Sequence, residues 1–470
     1  MTVGLEIHAE LKTKSKMFCG CKNSPDEGAP NSYTCPICMG HPGTLPVINK
    51  EAVKKVLLVG RALNGNLADF TEFDRKNYFY PDIPKGYQIS QYKYPLVSGG
   101  KLAGVDLTRI HLEEDTAKST HDTPGVSLVD YNRAGVPLME LVTEPVIYSS
   151  EQAMNFAKEL QLLLQYLGVS DANMEKGEMR VEVNISVSNT EKFGTKVEVK
   201  NINSFRAAGK AIDYEFKRQV ALIEKGEKVV QETRGWDENR ENTFSQRSKE
   251  NAHDYRYFPD PDLPKLVISE IPEFSSEMLK KELPELPSEK RDRFEKTFGL
   301  KVGDIETYIN NNEACDFFES ITASLTPDNI DAVRLASNYI ISDIIGLSKI
   351  NGKEFSSGLI TVVTFTKLID MIQAGDLSSR GAKDILKIMF ENGGDPQSIA
   401  NEKGLIQKND IEEINKIAQI IISSNPTVVE EYKNGKESLL QFFIGQGMKE
   451  TKGSVNPEML KKIILELLTK

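Results

Sequence analysis

Hydrophobic and polar residues alternate strictly along residues 3–11 of the chain. Such an alternation predicts a β-strand whose apolar face packs on a core. The opposite face would then carry Glu6, His8 and Glu10. Carboxylates beside an imidazole can hold a divalent cation or perform acid–base chemistry. A half-buried strand with a solvated polar face is the alternative.

Two later segments, Met179–Val187 and Thr195–Lys200, show the same alternation. Their polar positions combine acids, bases and small polar groups: Arg180, Glu182, Asn184, Ser186, Lys196, Glu198 and Lys200. Three such strands predict a sheet with one face on the core and the other lining a polar cavity. Carboxylates beside Lys and Arg in a cavity suit Mg²⁺ together with phosphate groups.

Two amphipathic helices are predicted within this strand-rich part of the chain. Ser149 and Gln152 have the spacing of a capping box at the start of the first, and Gly168 provides its stop. The second would run from Ser204 to Gly226. Mixed strands with few helices indicate an α+β domain with a mixed or antiparallel sheet.

The hydrophobic period becomes helical after a proline-containing linker near residue 287. We therefore expect an α+β domain over residues 1–287, a helical domain over 288–400 and a small helical tail over 401–470.

The 470 residues and the net charge of -11 fit a soluble protein of two or three domains. The sequence contains no membrane-spanning run and no signal pattern, so a cytoplasmic location is expected. The acidic balance disfavours broad coating of nucleic acid, although a local basic surface is compatible with it.

Four of the five cysteines crowd into residues 19–38. Cys19 and Cys21 form one close pair, and Cys35 and Cys38 form the other. Two thiol pairs across a short loop predict a structural zinc knuckle with a filled tetrahedral shell. Disulfides are the alternative, which a reducing cytoplasm disfavours. Cys315 lies in a helical pattern and is predicted to be a small buried residue.

A further concentration of charge follows His111, where Glu113, Glu114 and Asp115 precede Lys118. Acids can hold a cation here while Lys118 contacts a phosphate. Alternation places Glu113 in phase with His111 and Glu114 on the opposite side. The period alone does not decide which acid faces the cavity.

Basic residues interleave with aromatic residues and prolines along residues 73–96. In a rigid loop packed on the sheet, Lys76 and Lys85 would line the polar cavity. Stacking of single-stranded nucleic acid is the alternative. Farther along, Asn201, Ser204 and Arg206 follow the third polar strand, where helix N-terminal amides attract phosphate.

Several familiar catalytic motifs are missing from the sequence. It has no Walker A loop and no Rossmann glycine fingerprint after a strand. If the protein uses ATP, the phosphates must therefore be held by Mg²⁺, carboxylates and scattered Lys and Arg residues. There is also no Gly-x-Ser-x-Gly elbow, and no Cys is predicted to act as a nucleophile beside a His.

Together these motifs resemble the GatB/GatE family, whose members serve in tRNA-dependent amidotransferases. The matching segments are Gly4–Leu11, His41–Val47, Phe73–Asp82, Tyr87–Gln91, Leu112–Asp115 and Asp254–Pro259. The resemblance implies a cradle domain with a glutamine-synthetase-like fold, then a helical domain and a YqeY-like tail that contacts tRNA. It also implies a complex with an amidase subunit (GatA) and a small subunit (GatC).

The implied reaction converts Glu-tRNA(Gln), and often Asp-tRNA(Asn), to the amide. ATP would phosphorylate the side-chain carboxylate, and ammonia from the amidase would displace the phosphate. The resemblance makes Glu6, His8 and Glu114 the first Mg²⁺ ligands, assisted by Glu10 and Glu182, and gives Lys76 a catalytic role. The residues predicted to bind the nucleotide are Lys85, Lys118, Arg180, Glu182, Asn201, Ser204 and Arg206.

Two other functions remain open at this stage. The chain could be a non-catalytic, zinc-containing scaffold that binds tRNA. It could also be a free-standing ATP-dependent amide ligase with a small-molecule substrate. Glu6, His8, Glu10 and Glu114 argue against the scaffold, and the helical tail argues against the ligase.

Overall fold

The computed structural model describes residues 1–123, 125–248, 252–325, 329–352, 354–355, 359–407, 411–451 and 455–469. The chain divides into two compact units, Met1–Pro287 and Ser288–Lys470. Each unit contains its own hydrophobic core.

Strands dominate the first unit. They are β1 (Thr2–Glu10), β2 (Asn66–Leu67), β3 (Phe70–Thr71), β4 (Asp74–Asn77), β5 (Tyr87–Ser90), β6 (Val97–Ser98), β7 (Lys101–Leu102), β8 (Val105–Glu114), β9 (Lys118–Thr123), β10 (Val126–Asp130), β11 (Pro137–Thr143), β12 (Met179–Ser186), β13 (Val197–Lys200), β14 (Glu232–Asp237), β15 (Asn242–Ser248), β16 (Phe258–Pro259) and β17 (Leu266–Val267). The α-helices of this unit are α1 (Lys50–Ala62), α2 (Ser150–Tyr166), α3 (Phe205–Glu224) and α4 (Ser276–Glu282). Short 3₁₀ turns cover Ala252–Tyr255, Ile268–Glu270 and Pro272–Phe274.

The main sheet has the strand order β15-β14-β13-β12-β1-β11-β8-β6-β2, with β7 paired to β8. Its pairs are antiparallel except for β13 and β14, which run parallel. The predicted α+β class with a mixed sheet is therefore confirmed. Smaller ribbons, β9–β10, β16–β4–β5 and β17–β3, complete the strand pairing of the described residues.

The alternation along β1 separates the core from the polar face as predicted. Val3, Leu5, Ile7 and Ala9 are at most 1% exposed and belong to the core of the first unit. Helices α2 and α3 contribute their apolar sides to the same core. Burial of this apolar face fixes the strand register, because a slip by one residue would place Glu6 in the core.

Both predicted helices form close to their predicted limits. The hydroxyl oxygen of Ser149 accepts a hydrogen bond from the Gln152 N–H at 3.1 Å. The Gln152 side chain reaches back to the N–H of Tyr148, one residue before the position that a capping box specifies. Ser204 caps α3 by accepting from the Ala207 N–H.

Helix α1 lies close against the sheet at Gly60. A Cβ atom added at Gly60 would lie 2.4 Å from Cγ2 of the buried Val97. We expect Gly60→Ala to lower the free energy of unfolding by about 1–3 kcal/mol, because a branched side chain in a packed core cannot yield easily. Denaturant unfolding of the chain measures this loss.

Gly209→Ala in α3 is the matched control for this variant. Its added Cβ would meet Sδ of Met154 at 2.6 Å, but a flexible methionine side chain can move away. We expect a change within about 1 kcal/mol, since alanine also favours the helix. Equal losses in the two variants would contradict the assigned packing of α1 on Val97.

The second unit is helical in its described residues. Its α-helices are α5 (Pro287–Arg293), α6 (Val302–Ile309), α7 (Asn312–Ser324), α8 (Ile330–Tyr339), α9 (Ile345–Asn351), α10 (Val362–Gln373), α11 (Ser379–Asn392), α12 (Pro396–Lys403), α13 (Ile411–Ser423), α14 (Pro426–Lys433), α15 (Leu440–Glu450) and α16 (Pro457–Thr469). π-helical turns cover Phe294–Phe298 and Ile340–Ile344, and a 3₁₀ turn covers Glu437–Leu439. Helices α13, α15 and α16 share a separate small core. Among the described helices of the chain, none combines the length and apolarity needed to span a bilayer.

Candidate metal and acid–base site

The polar side of β1 gathers acids and imidazoles from neighbouring strands. Register places His8 opposite Glu140 of β11, and Glu140 opposite His111 of β8. Nε2 of His8 lies 3.9 Å from a carboxylate oxygen of Glu6, 3.7 Å from one of Glu113 and 3.4 Å from one of Glu140. We call Glu6, His8, His111, Glu113 and Glu140 the carboxylate–histidine cluster.

Neighbouring charges in the cluster shift the pKa of His8 upward and the pKa of Glu140 downward. Burial alone would lower the pKa of His8, but a hydrogen bond with Glu140 and the charges of Glu140 and Glu113 raise it to about 9. Burial also opposes ionisation of Glu140, yet His111 and His8 hold the pKa of that carboxyl well below its ordinary value. Nε2 of His111 lies 3.3 Å from Glu140.

The donor set fits a divalent cation. Ligand atoms of Glu6, His8 and Glu140 lie within 4.8 Å of one another, as do those of His111, Glu113 and Glu140. Burial is the largest cause that raises the pKa of Glu6, and repulsion from Glu140 and Glu182 adds to it. The resulting pKa is about 7. A bound cation would relieve this repulsion and favour the ionised carboxylate.

Lys76 of β4 contributes a cation next to the cluster. Burial would lower its pKa, but the charges of Glu113, Tyr257 and Glu140 outweigh burial and raise the pKa above its ordinary value. Its Nζ lies 5.1 Å from the ring centroid of Tyr255. Lys76 thus remains protonated near the cluster, where it can attract an anionic group of a ligand.

Opposite charges pair on both sides of the cluster. Toward the end of β1, Nη2 of Arg180 lies 2.5 Å from Asp115 and 3.8 Å from Glu10. Burial and the charge of Asp115 raise the pKa of Glu10 to about 8. On the other side, Nζ of Lys200 lies 2.8 Å from Glu182. Oxygens of Glu182 also lie within 4.8 Å of those of Glu6 and Glu198.

Glu114 requires a correction, because the structure does not bring it to His8 and Glu6. It lies on the opposite face of β8 from Glu113, where it pairs with Lys85 and accepts a hydrogen bond from the Ile89 N–H. Both Lys85 and Glu114 line a cavity of about 270 Å³ next to the cysteine-rich segment. Glu113 takes the position expected for Glu114, since alternate residues of a strand face opposite sides.

The remaining predicted nucleotide contacts lie elsewhere in the described structure. Lys118 pairs with Asp26 at 3.6 Å, and both side chains are more than half exposed. The amide of Asn201 donates to the carbonyl of Trp236. Ser204 caps its helix, and Arg206 is an exposed residue of the first turn. The structure therefore does not bring Lys118, Asn201, Ser204 and Arg206 to the cluster.

Glu140 is the residue of the candidate site that the sequence analysis missed. It is 5% exposed between Met139 and Leu141, which are fully buried. The sequence offered one indication, a single carboxylate within an otherwise apolar strand. Burying an unpaired charge is costly, so such a carboxylate is expected to have a charged or metal partner. Its place in the carboxylate–histidine cluster follows only from the pairing of β11 with β1 and β8.

The four clustered cysteines converge as predicted. Their Sγ atoms lie within 4.8 Å of one another, so the cluster could bind a metal ion. The Cys35 N–H donates to Sγ of Cys38 at 3.1 Å. A hydrogen bond from Cys19 lowers the pKa of Cys38 to about 5, assisted by the backbone and by Lys16 against the effect of burial. A thiolate of this kind is the form that binds metal.

Comparison with known proteins supports the resemblance inferred from the motifs. The GatB/GatE catalytic domain matches residues 1–272, and a second region, described as a GatB domain, matches residues 316–468. The chain belongs to the GatB/GatE family. The predicted family is therefore confirmed over most of the chain. Because the second match begins at residue 316, the predicted start of the tail at residue 401 stays a prediction.

Close relatives of this GatB/GatE chain match it along nearly its whole length. It is 44% identical over 483 residues to the B subunit of the aspartyl/glutamyl-tRNA(Asn/Gln) amidotransferase from Carboxydothermus hydrogenoformans, covering 100% of this chain and 98% of that protein. The equivalent protein from Thermoanaerobacter sp. strain X514 is 44% identical over 478 residues, covering 100% and 99%. That from Persephonella marina is 44% identical over 477 residues, covering 99% and 98%.

Zinc content tests the role of the cysteine cluster in this GatB/GatE chain. We expect Cys35→Ser to reduce bound zinc from about one ion per chain to a small fraction, since three thiolates leave the shell incomplete. Elemental analysis of the purified chain measures the loss. Cys315→Ser is the matched control, because Cys315 is buried in α7 outside the cluster. Full zinc content in Cys35→Ser would contradict this assignment.

Proposed function

We propose that the chain is the GatB component of an aminoacyl-tRNA amidotransferase that acts in the cytoplasm. Its substrates would be Glu-tRNA(Gln) and also Asp-tRNA(Asn), and its partners an amidase subunit (GatA) and a small subunit (GatC). Family membership and the names of the full-length relatives support this assignment.

The proposed reaction activates a carboxylate before amide formation. An oxygen of the substrate side-chain carboxylate attacks the γ-phosphorus of ATP, and ADP leaves. Ammonia from the amidase then attacks the carbonyl carbon of the acyl phosphate, and inorganic phosphate leaves. Phosphorylation is needed because oxide is a poor leaving group, whereas phosphate is a good one.

The observation that carries this proposal is the carboxylate–histidine cluster on the polar side of β1. Glu6, His8, Glu113 and Glu140 would hold Mg²⁺ there, with Glu182 close by. When bound, Mg²⁺ neutralises phosphate charge and orients the terminal phosphoryl group. The carboxylates and imidazoles of the carboxylate–histidine cluster are the kinds of donor that such an ion requires.

Lys76 would act on the transferred phosphoryl group. Its ammonium remains charged beside Glu113 and Glu140, and its Nζ lies 5.1 Å from the ring centroid of Tyr255. A fixed cation in a buried site stabilises the charge that spreads over phosphoryl oxygens in the transition state. We assign Arg180 a positioning role, since its Nη2 lies 2.5 Å from Asp115 and 3.8 Å from Glu10.

Phosphate release separates this proposal from the two other functions. The complex is incubated with γ-labelled ATP and either aminoacyl-tRNA or the free amino acid, with and without the amidase subunit. We expect release that requires aminoacyl-tRNA and continues without the amidase, as water hydrolyses the acyl phosphate. Release with the free amino acid would favour a small-molecule ligase, and no release would favour a scaffold.

A further inference from the structure

A fully buried lysine contacts the cysteine cluster of residues 19–38. Lys16 is 0% exposed. Its Nζ lies 3.9 Å from Sγ of Cys38 and 3.1 Å from the carbonyl oxygen of Tyr131. Its backbone N–H donates to the carbonyl oxygen of Cys21 at 3.0 Å. Lys16 therefore contacts both thiol pairs of the cluster, one through its backbone and the other through its side chain.

The sulfur of Cys38 is the charge partner available to the Lys16 ammonium. A buried ammonium without a counter-charge is costly. Among the described residues, no carboxylate pairs with Lys16, and the nearby Glu114 pairs with Lys85. The carbonyl of Tyr131 provides a dipole without a net charge. A thiolate at Cys38 supplies the missing negative charge.

This charge argues for a metal at the cluster rather than a disulfide. Sγ of Cys35 and Sγ of Cys38 are 3.8 Å apart, whereas a disulfide bond measures about 2 Å. Disulfide sulfurs also carry no charge that could offset an ammonium. Four thiolates around a divalent ion keep a net negative charge. Cys19 and Cys38 are 8% and 5% exposed, so solvent offsets little of that charge.

The same lysine lies between the cluster and the turn that joins β10 to β11. The loop between the two thiol pairs is bonded to this turn, because the Tyr131 N–H donates to Oδ1 of Asn31 at 2.7 Å and the Tyr33 N–H donates to Oδ1 of Asn132 at 2.8 Å. The Lys16 ammonium adds a contact from the turn to a thiol. A change at the cluster can therefore reach the start of β11.

We propose that Lys16 is the buried counter-charge of the metal-loaded cysteine cluster and fastens that cluster to the turn between β10 and β11. Its ammonium offsets thiolate charge at Cys38, and the carbonyl of Tyr131 holds the ammonium in place. Lys16 has no free electron pair to give to the ion, so it is a positioning residue rather than a ligand. The inference rests on the metal role proposed for the cluster.

The test compares Lys16→Met with Lys22→Met in the full-length chain. Methionine keeps a long flexible side chain and removes the charge. Lys22 belongs to the same segment, but it is exposed and pairs with Glu27 at 2.7 Å, so its variant is the matched control. Zinc affinity is measured by competition with a coloured chelator. Hydrogen exchange follows the turn between β10 and β11.

We expect Lys16→Met to weaken zinc binding by about 10- to 100-fold, the usual effect of losing a residue that supports metal ligands. Amide exchange in the turn should become faster. With Co²⁺ in place of zinc, the thiolate-to-cobalt charge-transfer band should move to longer wavelength, because the sulfur electrons lose a nearby positive charge. The visible bands of tetrahedral Co²⁺ should persist. Lys22→Met should match the wild type in all these measurements.

A second background separates charge from packing. Lys16→Met should lower the free energy of unfolding of the zinc-loaded chain, whereas in Cys38→Ser it should cause no loss, because the ammonium there has already lost its partner. Denaturant unfolding of the four chains measures both differences. If Lys16→Met alone does not fold, recovery of the fold in Lys16→Met/Cys38→Ser supports the charge pair, and failure to recover contradicts it.

Unchanged zinc affinity and an unchanged charge-transfer band in Lys16→Met would overturn the inference. Equal losses of stability in the wild-type and Cys38→Ser backgrounds would also overturn it, since Lys16 would then act through packing alone. A wild-type chain that binds no zinc would remove the metal site and this inference together. A zinc-loaded wild type with a normal Lys16→Met variant would remove only the role of the lysine.

Discussion

A complex carrying His8→Ala is expected to lose aminoacyl-tRNA-dependent phosphate release by more than about 100-fold. Changes in residues that merely orient metal ligands already cost about 10- to 100-fold. His8 lies at the centre of the cluster, within 4 Å of Glu6, Glu113 and Glu140. Its removal should leave these carboxylates to repel one another and weaken cation binding. Single-turnover phosphate release measures the rate.

Two further measurements make this expectation specific. Mn²⁺ titration followed by electron paramagnetic resonance should show weaker binding in His8→Ala, and size-exclusion chromatography should show an intact complex. His41→Ala is the matched control, because His41 is an exposed residue outside the cluster. Near-normal phosphate release by His8→Ala would remove the cluster from the reaction.

Local periodicity was sufficient to predict the orientation of the strands that carry the polar side chains of Glu6, His8, Glu182 and Lys200. In β1, β12 and β13 the alternate apolar residues are buried, and Glu6, His8, Glu182 and Lys200 lie on the polar side as predicted; Glu198 of β13 is buried as well. Each of these strands has a clearly apolar face and a polar face, so the period of two determines both orientations. Capping chemistry at Ser149 and Ser204 was equally local.

Periodicity was not sufficient at the end of β8, where both faces are buried. Glu113 and Glu114 are 2% and 5% exposed, so hydrophobicity does not show which of them faces the carboxylate–histidine cluster. The phase relation to His111 was correct, but the choice of Glu114 as a metal ligand came from the family resemblance. The three-dimensional contacts of Glu113 with His8 and of Glu114 with Lys85 decide between them.

Long-range pairing explains the other differences. Glu140 reaches His8 because β11 pairs with β1 across about 130 residues of sequence, which a local pattern does not encode. Lys118, Ser204 and Arg206 lie in motifs suited to phosphate, but their positions place them away from the cluster. A suitable local motif shows what a residue can bind, whereas tertiary structure decides what it meets.

Glu113→Gln and Glu114→Gln are expected to give opposite phenotypes. Glu113→Gln should lower phosphate release by at least about tenfold with little loss of stability, because it removes a charge 3.7 Å from His8. Glu114→Gln should destabilise the first unit by about 3 kcal/mol, because it leaves Lys85 partly buried without its partner. Single-turnover assays and denaturant unfolding of both variants provide the comparison.

The double variant Lys85→Met/Glu114→Gln shows whether this loss arises from an uncompensated charge. Removing both members of a buried pair costs much less than removing one, so most of the lost stability should return. Weakened Mn²⁺ binding in Glu114→Gln with normal stability would instead place Glu114 among the metal ligands. In that case the face assigned to each acid of β8 would be wrong, and the cation site would lie next to the cysteine cluster rather than on the polar side of β1.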